Sequence, residues 1–191
     1  MAWVLIIILL IVVAAAAVVI VRQRRSQQLQ EGFGPEYGRT LADRGDRREA
    51  EAELRERRER HEQLEIRELE PDVWEHYADR WRAVQRAFVD QPAAAVGEAD
   101  ALVSEVMRER GYPIEDDFDR RAADISVEHP VVVENYRSAH EISGRANRSE
   151  ASTEDLRQAM IHFRELFDEL LGVQDQPRGE TPEDNNQETQ S

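Results

Sequence analysis

Five histidines, His61, His76, His129, His140 and His162, stand in a chain of 40 acidic and 25 basic residues, and any acid–base or metal chemistry starts with them. Asp72 precedes His76 by one helical turn and His162 precedes Glu165 by three residues, so each pair shares one helix face. Carboxylate-bridged dimetal bundles need Glu-x-x-His pairs on facing helices, and no Glu stands three residues before any of the five histidines. The H-E-x-x-H arrangement of metalloproteases is also missing. Nucleophilic chemistry would need an activated hydroxyl. Ser126 lies near His129 and Ser138 near His140, but neither serine has the glycine-framed elbow that exposes a nucleophile. Ser126 reads more simply as a helix cap. The densest polar stretch runs through Arg120, Arg121, Asp124, His129, Glu134, Asn135, Arg137 and His140. Arg120, Arg121, His129, Asn135, Arg137 and His140 are the candidate lining of a polar pocket, and their arginines would favour an anionic ligand. Solvated helix faces account for the same residues. No catalytic, cofactor-binding or metal-ligating set is assigned, and the expectation is a non-enzyme without a cofactor.

Composition removes further classes. The chain has no cysteine, which excludes disulfides, thiolate catalysis and cysteine-ligated zinc. Every basic side chain is arginine; the absence of lysine excludes a Walker A loop and Schiff-base catalysis. A formal charge of −15 opposes binding to a phosphate backbone, so nucleic acid is not an expected partner.

The elements that would position these groups read as helices. Trp74, Tyr77, Trp81, Val84 and Phe88 form a helical stripe that begins at Pro71, better suited to core packing than to a ligand cavity. After Pro92, Val96, Ala99, Leu102, Val103 and Val106 form another, closed by Gly111-Tyr112-Pro113. A short helix is predicted with Phe118, Ala122 and Ile125 inward. A longer one is predicted to start with Pro130 at its first position and to bury Val132, Tyr136, Ala139 and Ile142. Ser152 caps a last helix whose apolar face includes Leu156, Phe163 and Leu170, with Gly172 at its end. Before Pro71 the chain is highly charged. Asp43–Arg47, Glu51–Arg55, Glu53–Arg57 and Glu56–Arg60 place an acid four residues before a base, which supports an exposed helix. Ala50, Leu54 and Leu64 are too few for a coiled-coil seam, although dimerisation through residues 41–63 is left open. Arg44-Gly45-Asp46 matches an integrin-ligand triplet in spelling alone.

The N-terminus gives the clearest signal. From Trp3 to Val21 there is no charged residue, a length that covers about 28 Å as a helix. No basic residue precedes the run, and Ala14–Ala17 sit in its middle, so a retained anchor fits better than a cleaved leader. Arg22, Arg24 and Arg25 follow it, which predicts an N-terminus outside and the remainder in the cytoplasm at the cell membrane, with Trp3 at the outer interface.

The stretches FGPEYGRT, GDRREAEAEL, WRAVQRAFVDQP, EADALVSEVMRERGYP, RAADISVEHPVVVENYR and EDLRQAMIHFRELFDELL resemble a set of bacterial proteins of similar layout. They cover most of residues 33–171. The resemblance implies no activity, ligand or catalytic residue. Members often begin with a hydrophobic segment, and a description of some as secreted conflicts with the topology read here.

The expected architecture is all-α: an anchor with basic flank (1–25), a linker (26–40), a charged helical stalk and connector (41–70), a small helical bundle (71–172) and a disordered acidic tail (173–191). The expected function is a single-pass membrane protein presenting a cytoplasmic interaction or scaffold module to a protein partner. The alternatives are a tethered small-ligand binder or enzyme using the Arg120–His140 region, and the same domain held outside the cytoplasm.

Overall fold

One unbroken helix, α1 (Ala2–Phe33), carries the apolar N-terminal run into the charged part of the chain. The computed structural model describes residues 2–113 and 117–172, without the side chains at positions 2, 4, 5, 8, 11, 12, 15 and 18. The expected tail of 173–191 lies outside the described residues. Gly34, at φ 45°, turns the chain from α1 into α2 (Pro35–Arg44). Gly45 then closes α2 in the left-handed conformation and donates its N–H to Leu41 O. The Asp46 carboxylate caps α3 (Arg47–His61) by accepting from the N–H groups of Arg48 and Glu49.

Residues 26–61, expected as a linker followed by a charged helical stalk, instead pack together as the end of α1, α2 and the charged helix α3. Leu29, Phe33, Tyr37 and Leu54 close over one another as a small core, with Leu41 and Val127 at its edge. Each segment alone has too few apolar residues to fold; three helices pooled in space have enough. Among the four charge pairs expected, Glu53–Arg57 and Glu56–Arg60 form. Arg47 instead pairs with Glu51 at 2.8 Å, and Asp43 with Arg39 at 3.7 Å.

The larger core belongs to α4 (Pro71–Ala87), α5 (Pro92–Arg110), α6 (Phe118–Ile125), α7 (Val133–Asn147) and α8 (Thr153–Leu170). The described residues are thus all-α, with eight helices and no strand. Helix α8 packs on both α5 and α7, and α4 packs on α5. Phe163, Leu166 and Phe167 of α8 meet Val103 and Met107 of α5 and Tyr136 of α7 in the interior. The Trp81 ring stacks on Phe167 at 4.7 Å, and the Trp74 indole N–H donates to Leu171 O at 2.9 Å. Ser152 and Asp155 form a reciprocal capping box at the start of α8.

The expected start of α7 is shifted. Pro130 is not its first residue; residues 130–132 form a turn and the helix begins at Val133. The His129 N–H is already bonded to Ile125 O at 2.9 Å, extending the end of α6, so the chain must turn before a new helix can begin. The connector 65–70 has no regular structure and is docked: Arg67 N–H donates to Arg110 O at 2.9 Å, and Arg110 Nε to Arg67 O at 3.3 Å.

Candidate functional site

Two charged assemblies sit where the N-terminal helices meet the bundle. The first is built on Glu36, whose side chain is 2% exposed at the start of α2. Its Oε1 accepts from Arg57 Nη1 at 2.7 Å and from Arg137 Nη2 at 2.8 Å, and its Oε2 accepts from Arg137 Nη1 at 2.8 Å. The pairing with Arg137 is bidentate, the geometry that best matches guanidinium to carboxylate. Arg57 also bonds Glu53 and reaches Ser126 Oγ at 3.5 Å. One carboxylate therefore ties α2 to α3 and α7, with Arg57 extending the tie to the end of α6. Burial opposes ionisation of Glu53, but its bonds to Arg44 and Arg57 prevail and hold it below the usual carboxylate range.

The second assembly is built on Glu128. Its Oε2 accepts from the Tyr112 hydroxyl and lies 3.8 Å from His61 Nε2 and 3.7 Å from His129 Nε2. Its Oε1 lies 3.5 Å from Arg110 Nη2. His129 Nδ1 is 3.4 Å from Glu169 Oε2. Burial pushes the Tyr112 phenol up and is reinforced by Glu128. Burial also pushes Glu128 up, but the Tyr112 hydrogen bond and Arg110 prevail and its pKa is lowered. Burial lowers that of His129 against the attraction of Glu128 and Glu169, with Arg110 adding to the lowering. Alongside lies a cleft of about 600 Å³, lined by Leu69, Pro71, Trp74, Arg110, Glu128, His129 and Glu169 among others.

The six residues expected to share a polar pocket are dispersed around α6 and α7. Arg137 belongs to the Glu36 assembly and His129 to the Glu128 assembly. His140 Nδ1 contacts Asp100 at 2.8 Å while its ring stacks on the half-buried Phe118 at 3.7 Å. Asn135 donates to Glu165 on α8 at 2.5 Å. The Arg121 guanidinium lies 5.6 Å from the Phe118 ring centre, and Arg120 is exposed. Helical spacing explains the dispersal, because neighbours in sequence point around the helix rather than to one point. Arg22, Arg24 and Arg25 are exposed on α1, and Trp3 is 80% exposed.

No family model, curated protein or solved structure matches this chain. The site must therefore be read from its own chemistry. Among the described residues no group of three or more His, Asp or Glu is arranged to hold a metal ion. Glu36 was not singled out by sequence reasoning, and Arg57 entered it only as the partner of Glu53 on an exposed helix face. A usable signal existed: Ala50, Leu54 and Arg57 share one face of α3 and are all buried, so Arg57 continues the apolar stripe of an otherwise solvated helix.

Acid sensitivity follows from the second assembly. A histidine whose pKa is lower folded than unfolded binds its proton preferentially in the unfolded chain, so the stability tied to its neutral form is lost as pH falls below its usual 6.5. Glu128 adds loss of the same sign below its usual 4.5. The urea midpoint is expected to fall between about pH 7.5 and 5.5, and to fall less in His129→Gln. Equal acid losses in both proteins would remove His129 as the source.

Proposed function

We propose that this chain is a single-pass membrane protein whose anchor is residues 3–21 and whose helical body is a cytoplasmic interaction module for a protein partner. The observation that carries this reading is the continuity of α1. The same helix holds the charge-free run and, at Leu29 and Phe33, part of the body's interior. Large apolar side chains on the N-terminal part of α1, including Ile6, Ile7, Leu9, Leu10 and Val13, are each more than half exposed among the described residues. A bilayer would cover them. Among the described residues no helix is long and apolar enough to cross a membrane, and seven apolar positions of the 3–21 run (4, 5, 8, 11, 12, 15 and 18) lie outside the described side chains. The full 3–21 run is free of charge and continues without a break into the charged part of α1.

Absence of cysteine makes the topology directly measurable. A membrane-impermeant maleimide should label Ala2→Cys in intact spheroplasts and Ser191→Cys after permeabilisation alone. The reverse pattern would place the body outside, and recovery of the protein in the soluble fraction would remove the anchor. Deleting residues 71–171 should abolish partner recovery after cross-linking; unchanged recovery would move the partner's contact to α1–α3.

A further inference from the structure

The cleft beside the C-terminal end of α8 contains a polar mismatch. Four carboxylates, Glu68, Glu75, Glu128 and Glu169, line it together with one guanidinium, Arg110. That guanidinium is already committed, donating to Arg67 O and Leu170 O at 3.3 Å each and facing Glu128 at 3.5 Å. His129 enters the same cleft with its side chain 9% exposed. Its Nε2 is buried without a hydrogen-bond partner among the described residues.

Each ring nitrogen of His129 faces a carboxylate oxygen: Nδ1 lies 3.4 Å from Glu169 and Nε2 3.7 Å from Glu128. Neutral imidazole has one N–H and one lone pair, and an ionised carboxylate can only accept. Whichever nitrogen holds the proton, the other turns a lone pair towards a carboxylate. Burial favours the neutral ring, so double protonation is not the built-in remedy. The missing component is a donor that also carries positive charge. The remaining walls are apolar, formed by Leu69, Pro71, Leu170, Leu171 and the indole of Trp74. They suit a hydrocarbon stem ending in a compact cation.

We propose that this cleft binds an alkylammonium group, with its N–H donors shared among His129, Glu128 and Glu169 and its stem along Trp74 and the leucines. The chain contains no lysine, so none of its own side chains can supply the group. The source is a free alkylamine or the lysine side chain of a protein partner. The inference does not depend on membrane topology. In its lysine form it gives the chemistry that the partner presents.

Calorimetric titration of the full chain in detergent micelles tests it. The probes are pentylamine, its neutral counterpart pentanol, a short acetylated peptide with one lysine, and the same peptide with norleucine. Pentylamine, the lysine peptide or both are expected to bind, whereas pentanol and the norleucine peptide are not. Binding by the peptide alone assigns the source to a partner protein, and binding by pentylamine alone to a free amine. Glu169→Gln and His129→Gln, each confirmed folded by circular dichroism, should weaken binding by about tenfold, while exposed Glu59→Gln should leave it unchanged. Silence from both amines with the folded wild-type chain would mean that the cleft holds water only and would overturn the proposal. Equal binding by pentanol, or undiminished binding by folded Glu169→Gln and His129→Gln, would also overturn it.

Discussion

Replacing Glu36 with alanine is expected to lower the unfolding free energy by about 3–5 kcal/mol, the range for breaking a buried ion pair from one side. The size comes from what is left behind. Arg57 and Arg137 are only 10% and 12% exposed at their side chains, and neither can lose its charge to escape burial. Arg57 retains Glu53, whereas Arg137 retains a 3.6 Å contact with the exposed Glu134. Urea unfolding followed by circular dichroism measures the loss. A paired replacement, Glu36→Met with Arg137→Met, should lose less than the sum of its single changes, because it removes both charges that need each other. A loss below about 1 kcal/mol for Glu36→Ala, or strict additivity in the pair, would deny Glu36 this role. Weakened docking should also show as faster tryptic cleavage at Arg67, in the connector between the two cores.

Gly111→Val is expected to cost about 3 kcal/mol or more. Gly111 ends α5 at φ 100°, a conformation that strains a β-branched residue by roughly 1–3 kcal/mol. A Cβ there would also stand 2.4 Å from the carbonyl oxygen of Glu65. That contact is backbone, so no side-chain rotation relieves it. The connector would have to move away, loosening the Arg67–Arg110 hydrogen bonds, each worth about 0.5–1.5 kcal/mol. Thermal unfolding of Gly111→Val beside Gly97→Ala provides the comparison, since a Cβ at Gly97 meets nothing within 4 Å. Equal stability of the two variants would show that the close approach of connector to helix end carries no weight.

The bundle was legible because its signals are local. The 3–4 spacing of Trp74, Tyr77, Trp81 and Val84, the proline starts of α4 and α5, and Gly111 at a helix end each depend on residues within a few turns. The packing of 26–61 was not legible, because its core joins Phe33, Tyr37 and Leu54 with Val127 across a long sequence interval. Glu36 illustrates the same limit in the site. Its partner Arg137 lies 101 residues away, and nothing in either neighbourhood marks one carboxylate among many as buried. His129 stands in polar company along the sequence, yet only Glu128 of its two carboxylate partners is a chain neighbour, while Glu169 comes from the last turn of α8. The expected start of α7 at Pro130 is displaced because the His129 N–H is already bonded to Ile125 O, a contact that proline's own helix-start preference does not reveal.

The continuity of α1 has a mechanical consequence. With residues 3–21 held in a bilayer, the helix works as a shaft keyed to its load: Ser26 and Tyr37 both bond Glu51 of α3, and Phe33 sits in the small core. Torque and azimuth would then pass from lipid to protein without slack. Each residue inserted between 21 and 26 would turn the body by about 100° about the shaft and lift it by about 1.5 Å. Adding seven would restore nearly the original heading. Under the proposed membrane anchoring, the length of that short exposed collar would set which side of the bundle faces its neighbours in the plane of the membrane.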